Sequence, residues 1–445
     1  MKILFISLGC DKNLADSEEM LGLLTGSGHE IVDSEEEADA IVVNTCCFIH
    51  DAKEESVNTI LEMAEYKTSG SCKVLIVTGC MAQRYKEEII QEIPEVDAVL
   101  GTTSYGDIVK ALNEAQAGNV FQEFRDINDL PEDSGRRVIT TGGHFGYLKI
   151  AEGCDKHCTY CIIPSLRGKF RSVPEERLLK QAEYMASQGV KELILVAQET
   201  TVYGTDLYGK KTLHILLKKL CQIKGIRWIR ILYCYPEEIY DELIQVMKEE
   251  KKICHYLDLP IQHASDRILR RMGRRTSKAQ LVDIITKLRR EIPDIVLRTS
   301  LITGFPGETE EDHQELMEFV DEMEFDRLGV FTYSPEEGTP AETMEGQVPE
   351  ELKKERRDEI MELQQEISLE KGDSRIGQEL LVMIEGKVSG ESAYIGRTYG
   401  DAPKVDGYIF VQTGELLVTG DFAKVKVTGA LEYDLIGELA DEYTE

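Results

Sequence analysis

The sequence predicts an α/β protein in three parts. An N-terminal doubly wound parallel α/β domain comes first, then a central partial (β/α)6 barrel, then a small all-β barrel. Three observations carry this prediction. Short apolar runs alternate with helical patterns through residues 1–118 and again from Phe145, and a polar stretch separates the two runs. Past residue 374 the helical period stops, and short β-rich segments with turns at Gly390 and Gly420 take over.

In the first part the candidate strands are Ile3–Ser7, Ala40–Asn44, Val74–Thr78 and Ala98–Leu100. The candidate helices are Leu14–Thr25, Ala52–Tyr66, Gln83–Glu92 and Tyr105–Gln116. Strands alternating with helices imply a parallel sheet, and ligands gather at the carboxyl ends of its strands. Three cysteines fall there: Cys10 in SLGC, Cys46 in VNTC and Cys80 in VTGC, after the first, second and third strands. One edge of the sheet would then hold an iron–sulfur cluster with three protein ligands and an open position. The alternative is that buried cysteines act as small hydrophobes, the reading given to Cys47 and Cys72, which lack that placement. In GCDKNLADSEE, Asp16 or Ser17 is a candidate helix cap. Asn13, Asp16 and Ser17 are otherwise a wall of the site. Residues 119–143 read as a connector.

The second part repeats the alternation, with strands expected at Phe145–Ala151, Glu192–Ala197, Arg227–Leu232, Tyr256–Leu259, Ile295–Ile302 and Leu328–Thr332. Helices fall between them at Glu175–Ser187, Leu213–Cys221, Pro236–Lys248, Lys278–Arg290 and Glu310–Glu322. After the first strand comes EGCDKHCTYCIIPSLRGKFR, which places Cys154, Cys158 and Cys161 at the barrel mouth where such folds carry chemistry. Three thiolates so close suit one iron–sulfur cluster, and the missing fourth ligand leaves a position open for chemistry. Zinc with His157 is the alternative, but His157 lies inside the x3 spacer beside Cys158. Polar groups follow the later strands: Gln198 and Glu199, Gln262 and His263, then Thr303–Glu308 as TGFPGE, whose Gly304 and Gly307 allow close backbone approach by a ligand. His263 reads as a general acid, a ligand or an ordinary structural histidine. Cys221, Cys234 and Cys254 are scattered and read as structural.

Residues 348–373 are charged and helix-prone, a solvated linker helix by default, with a docking stripe of Met361, Leu363 and Ile367 as the alternative. The β-rich part has candidate strands Glu379–Glu385, Gly407–Phe410, Leu416–Val418 and Ala423–Val427. Small barrels often bind RNA, yet residues 376–445 hold thirteen acids against five bases. That charge points to a basic protein surface.

Composition narrows the function. The net charge of −31 repels a phosphate backbone and attracts a basic partner, so nucleic acid is not expected as the main target. No apolar run of about eighteen residues is present, so no membrane span is expected. MKILFISLGC lacks the apolar core and cleavage site of a signal peptide. Eleven cysteines in such a chain speak for metal or redox chemistry in the cytoplasm rather than disulfides.

The arrangement resembles the radical S-adenosylmethionine (SAM) methylthiotransferases across all three parts. The CDKHCTYC run is similar to the radical SAM cluster motif, and Cys10, Cys46 and Cys80 match the family's auxiliary-cluster ligands. The resemblance implies two 4Fe–4S clusters and SAM, with domains at 1–118, 144–373 (after a 119–143 linker) and 374–442, the last a TRAM domain. GCDKNLADSEEM, AQETTVYGTDLYG and GRTYGDAPKVDGYIFV resemble the RimO-type branch, which modifies an aspartate of small ribosomal subunit protein twelve. Cys47 departs from a usual glycine and Glu199 from a usual aspartate. The implied chemistry makes a 5′-deoxyadenosyl radical at the first cluster, removes hydrogen from the aspartate β-carbon, and delivers methylthio from the second. Candidate SAM contacts are Glu199, Gly304 and Glu308, and no catalytic side chain is assigned beyond the cluster cysteines. The implied partners are the basic ribosomal protein and an electron donor such as flavodoxin or ferredoxin. The rivals are a tRNA adenosine methylthiotransferase of the same family, a non-catalytic iron–sulfur scaffold and a plain RNA-binding module.

Overall fold

A computed structural model describes residues 1–132 and 135–440 of the 445-residue chain. The expected end of the terminal barrel at residue 442 lies outside the described residues. The N-terminal sheet holds β1 (Lys2–Ser7), β2 (Glu30–Val32), β3 (Ala40–Thr45), β4 (Val74–Gly79), β5 (Ala98–Leu100) and β6 (Phe121–Glu123). All pair in parallel, in the order β2-β1-β3-β4-β5-β6. AIVVNT and VLIVTG are buried throughout, as central strands covered on both faces should be. The two edge strands were not foreseen, and β6 comes from the stretch read as connector. The helix expected over Gln83–Glu92 is two pieces, Cys80–Tyr85 and Glu87–Glu92, broken where Lys86 takes φ 45°. The first helix starts at Asp11, with Cys10 as its N-cap. Asp16 and Ser17 therefore lie inside it and cap nothing.

The central sheet is built from β7 (Phe145–Lys149), β10 (Glu192–Val196), β11 (Trp228–Ile231), β12 (Ile253–Asp258), β13 (Val296–Thr303) and β14 (Arg327–Thr332). These six parallel strands follow one another in simple sequence order and stay open. A short antiparallel pair, β8 (Ala151–Glu152) and β9 (Arg171–Ser172), flanks the cysteine loop. Alternate residues serve opposite faces. Leu193, Leu195, Ile229, Ile231 and Leu297 pack under the outer helices. Tyr147, Ile194, Val196, Trp228 and Tyr256 face inward and meet Met383, Ala402 and Phe422 of the terminal barrel.

That terminal barrel is closed, with β15 (Glu379–Lys387), β16 (Ala393–Thr398), β17 (Ile409–Gln412), β18 (Phe422–Ala430) and β19 (Leu435–Leu439). The strand expected at Leu416–Val418 is instead a loop, with Leu416 86% exposed. Helix Glu350–Asp373 is not a solvated linker either. Its buried Ile360 and Ile367 join the central core, and Gln364 donates to the Phe325 carbonyl. Among the described residues no helix is long and apolar enough to cross a membrane.

Candidate active site

The sheet register brings the first cysteines together. β1, β3 and β4 are neighbours, with Ser7 opposite Asn44 and Thr45 opposite Gly79. Cys10, Cys46 and Cys80 follow those strands directly, so residues dozens apart in sequence meet at one sheet edge. A Cβ on Gly9 would stand 2.9 Å from the Cys46 sulfur, which is why this turn takes glycine at φ 84°. Burial pushes the Cys46 thiol up to about 12, and the nearby Cys80 and Cys10 add to it. Cys47 is fully buried in the apolar core and lies beside Arg84. Burial also raises Cys80, opposed by the Arg167 guanidinium.

Cys154, Cys158 and Cys161 sit in the loop after β8, at the mouth of the central barrel. Gly153 takes φ 78°, and a Cβ there would run into the Lys169 carbonyl, so the loop is folded tightly on itself. The Cys154 amide donates to Gly168 O, Thr159 N to Met272 O and Cys161 N to Cys158 O. Tyr235 Oη lies 3.6 Å from Cys158 Sγ. Burial pushes Cys154 up to about 11 and Cys161 to about 12, and the buried Arg274 offsets the rise at Cys161. His157 is exposed in the left-handed region at φ 52°, away from a shared tetrahedron with its neighbours.

Among the described residues no three His, Cys, Asp or Glu side chains stand close enough to share a single metal ion. Thiolates of one cluster each bind a different iron, so convergence on one point is not required. What the geometry does supply is two sulfur triads at the carboxyl edges of two sheets, each with a buried guanidinium to balance thiolate charge.

A polar seam links the two triads. Arg167 leaves the loop of one triad and donates to Asp16 at 2.7 Å, Glu152 at 3.2 Å and Asn13 at 3.1 Å, with Cys80 of the other triad beside it. Lys149 completes the group, bonded to Asp16 and Glu152. Glu18 takes Arg137 at 2.6 Å a turn further along. Asn13, Asp16 and Ser17 are thus wall residues. Arg167, Arg274 and Tyr235 were missed in sequence, although SLRGKFR and the YCY after β11 mark the places.

Around the first triad, Glu199 is 1% exposed. Its Oε1 accepts from the Thr201 amide at 2.9 Å and from the Thr201 hydroxyl, while Oε2 is buried with no partner. Burial pushes this carboxyl up to about 7. An orphaned carboxylate oxygen at the end of β10 suits the ammonium group of SAM. Gly304 and Glu308, the other two candidate SAM contacts, already have protein neighbours. A Gly304 Cβ would run into the Lys353 stem, and Glu308 is taken by Arg356 at 2.9 Å and the Phe305 amide. His263 Nδ1 accepts from the Ala264 and Ser265 amides, a structural role.

Comparison with known proteins agrees with this layout. Residues 2–101 match uncharacterized protein family UPF0004, residues 148–320 the radical SAM superfamily and residues 376–440 the TRAM domain. The chain is 66% identical to the ribosomal protein uS12 methylthiotransferase RimO of Lachnoclostridium phytofermentans, over 98% of this chain and 99% of that protein. It is 52% identical to the protein of the same name from Clostridium perfringens, over 99% and 98%. In fold it is similar to the radical SAM methyltransferase TsrM of Kitasatospora setae (TM-score 0.54, 13% identity, 77% of each chain). A second likeness is to the SAM radical enzyme OxsB (TM-score 0.51, 15% identity, 82% of this chain and 56% of that one). Membership of the radical SAM superfamily brings SAM and an iron–sulfur cluster. At near-complete coverage and 66% identity, the chain belongs to the RimO family of ribosomal protein uS12 methylthiotransferases.

Proposed function

We propose that this protein adds a methylthio group to the β-carbon of an aspartate in ribosomal protein uS12, working with two 4Fe–4S clusters. Cys154, Cys158 and Cys161 hold one cluster, and Cys10, Cys46 and Cys80 the other. Bound there, the clusters and SAM supply hydrogen-atom removal from an unactivated C–H bond and a carrier for sulfur. The chain supplies everything else. Glu199 Oε2 takes the SAM ammonium, and Gln198 fixes the loop by accepting from the Gly153 amide at 2.8 Å. Arg274 and Arg167 offset thiolate charge, and the tight packing of both loops keeps water from the reacting atoms. Cys46 rather than Cys47 is the ligand, because Cys46 lies beside both Cys10 and Cys80 while Cys47 has Cys80, Cys46 and Arg84 as its neighbours. Electrons come from a small redox protein such as flavodoxin or ferredoxin.

The observation that carries this reading is Arg167, which leaves one cysteine loop and reaches the other triad across the seam. Two open-sited sulfur triads held in fixed register suit group transfer between two centres. The test is mass spectrometry after anaerobic incubation of reconstituted protein with SAM, reductant and sulfide. The aspartate-bearing uS12 peptide and bulk tRNA are offered separately. A methylthio increment on the peptide is expected. An increment on tRNA adenosine instead would move the assignment to the tRNA-modifying branch.

A further inference from the structure

The seam between the triads contains a buried ammonium with no carboxylate in ion-pair contact. Lys12 is 7% exposed, and its Nζ lies 3.2 Å above the centre of the Tyr233 ring. Among the described residues no carboxylate stands within 4.0 Å of it. The neighbouring cations are committed. Lys149 and Arg167 share Asp16 and Glu152, Lys156 holds Glu238, and Arg298 holds Asp258 at 2.8 Å. Arg274 also lacks a carboxylate, but it is anchored on Pro260 O at 2.7 Å and stacked on Tyr235 beside the other triad. A ring face offsets a buried cation by about 0.5–2 kcal/mol, less than the several kcal/mol that burying the charge costs. Asp11 and Cys10 act on Lys12 from beyond ion-pair distance, so no anion is in direct contact with the ammonium.

Tyr233 is built to hold that ammonium in place. It takes φ 60°, a rare conformation for an aromatic residue, and its neighbours over-determine it. Its amide donates to Asp258 Oδ2 at 3.0 Å, and its carbonyl accepts from the Thr200 amide and hydroxyl, both at 3.1 Å. Its hydroxyl lies 3.2 Å from Asp11 Oδ1, while Asp11 Oδ2 is buried without a partner. Lys12 and Asp11 come from the helix that Cys10 caps, and Tyr233 comes from the barrel mouth. This contact is therefore made by both halves of the seam.

We propose that Lys12 binds the side-chain carboxylate of the substrate aspartate, and that Asp11 Oδ2 accepts an N–H from the same segment. A carboxylate held here has its β-carbon one bond away, on the side of the seam where Cys10 lies beside Lys12. The assignment rests on the uS12 aspartate being the target. It goes further by naming the residue that reads the aspartate, and it explains how an aspartate is told from an asparagine. A site built around a cation leaves that cation unpaired when a neutral amide arrives.

The test uses the reconstituted full chain, SAM, and two synthetic peptides of the uS12 loop, one with the aspartate and one with asparagine in its place. Wild type should favour the aspartate peptide by at least about 30-fold in kcat/KM. Lys12→Met should lose at least about 30-fold on the aspartate peptide, mainly through KM, and its preference should fall below about threefold. Lys12→Arg should keep the preference. Iron content per chain shows whether each variant is assembled. A wild type that takes both peptides equally overturns the proposal without any variant, as does a Lys12→Met that still prefers aspartate. If neither peptide is modified and tRNA is, the parent reading fails and this one with it. If the aspartate peptide is modified without preference, only this one fails.

Discussion

Replacing Glu192 by Gln should loosen the terminal barrel from the central one. Glu192 and its two partners, Arg230 on β11 and Arg397 on β16, are all 0% exposed. The carboxylate accepts from Arg230 Nε at 2.8 Å and Arg397 Nη2 at 2.7 Å. Glu385 balances the second guanidinium at 2.6 Å and also binds His144. Two positive and two negative charges are thus sealed between two domains. A glutamine side chain would keep the shape, remove one negative charge and turn an N–H₂ toward a guanidinium. Breaking one side of a buried pair costs about 3–5 kcal/mol, or roughly 150-fold to several thousand-fold in the docking equilibrium. The chain's one tryptophan reports this seam, since Trp228 packs edge-on against Phe422 with ring centres 4.8 Å apart. Urea titration followed by tryptophan emission should therefore show the first transition moving to markedly lower urea in Glu192→Gln.

A pH series adds a second reading of the same cluster. Burial pushes Glu192 up, but Arg397 and Arg230 outweigh it and hold the carboxyl below its ordinary value of 4.5. A depressed carboxyl contributes stability that is present above 4.5 and lost as pH falls through its folded value. Wild type should thus lose seam stability below about pH 4.5, and Glu192→Gln should lose less over that window. The quadruple change Glu192→Leu, Arg230→Met, Glu385→Gln, Arg397→Met should be milder than Glu192→Gln, because it removes all four charges of the cluster together. A Glu192→Gln transition within about 0.5 kcal/mol of wild type, or a quadruple variant worse than the single, would refute the reasoning.

Three further outcomes follow from the same structure. Cys154→Ala should abolish SAM cleavage, while Cys10→Ala should leave cleavage and stop sulfur insertion; product analysis by mass spectrometry separates the two, and equal loss of cleavage would contradict the division of labour. Glu199→Gln should raise the KM for SAM by about 10- to 100-fold, the loss of one hydrogen bond to a charged group, with a smaller change in kcat. Gly304→Ala should destabilise the central barrel by about 1–3 kcal/mol, because its Cβ runs into the Lys353 stem in a left-handed backbone. Gly28→Ala, also left-handed but with nothing within 4 Å, isolates the backbone part of that cost in a thermal melt.

Much of the site could be read from the chain because parallel sheets turn periodicity into adjacency. Three cysteines after three strands must share an edge once the strands are neighbours, whatever their separation in sequence. The same rule failed for β2 and β6, because EIV and FQE are partly exposed edge strands with a charged residue each, without the wholly apolar, buried run that marks the equally short β5. Gly304 shows a different limit. A glycine says that a Cβ is not tolerated, not whether a ligand or Lys353 forbids it. Asp16 and Ser17 were misplaced because cap preference describes exposed helix starts, and here both residues turn inward to Arg167, Lys149 and Asn44. Leu416 and Val418 were apolar enough to suggest a strand, yet both stay exposed. Arg167 and Asp16 are 151 positions apart, and no local pattern links them.

The polar seam is itself informative about the reaction. An apolar seam of equal area would hold the N-terminal sheet to the barrel at less desolvation cost. Apolar contacts are non-directional, however, and would permit the two sheets to slide. The Arg167 fork accepts only a narrow placement of Asp16 and Asn13, and Lys149 ties Asp16 to Glu152 from the other side. Glu18 repeats the device through Arg137, whose second bond is to the Tyr147 carbonyl of β7 at 2.6 Å. Each link runs from the helix capped by Cys10 to the strand or loop that carries Cys154, Cys158 and Cys161. What these bonds fix is the separation and facing of the two triads. On the proposed two-cluster chemistry, transfer across a single substrate carbon depends on that quantity, and hydrophobic packing alone would leave it loose.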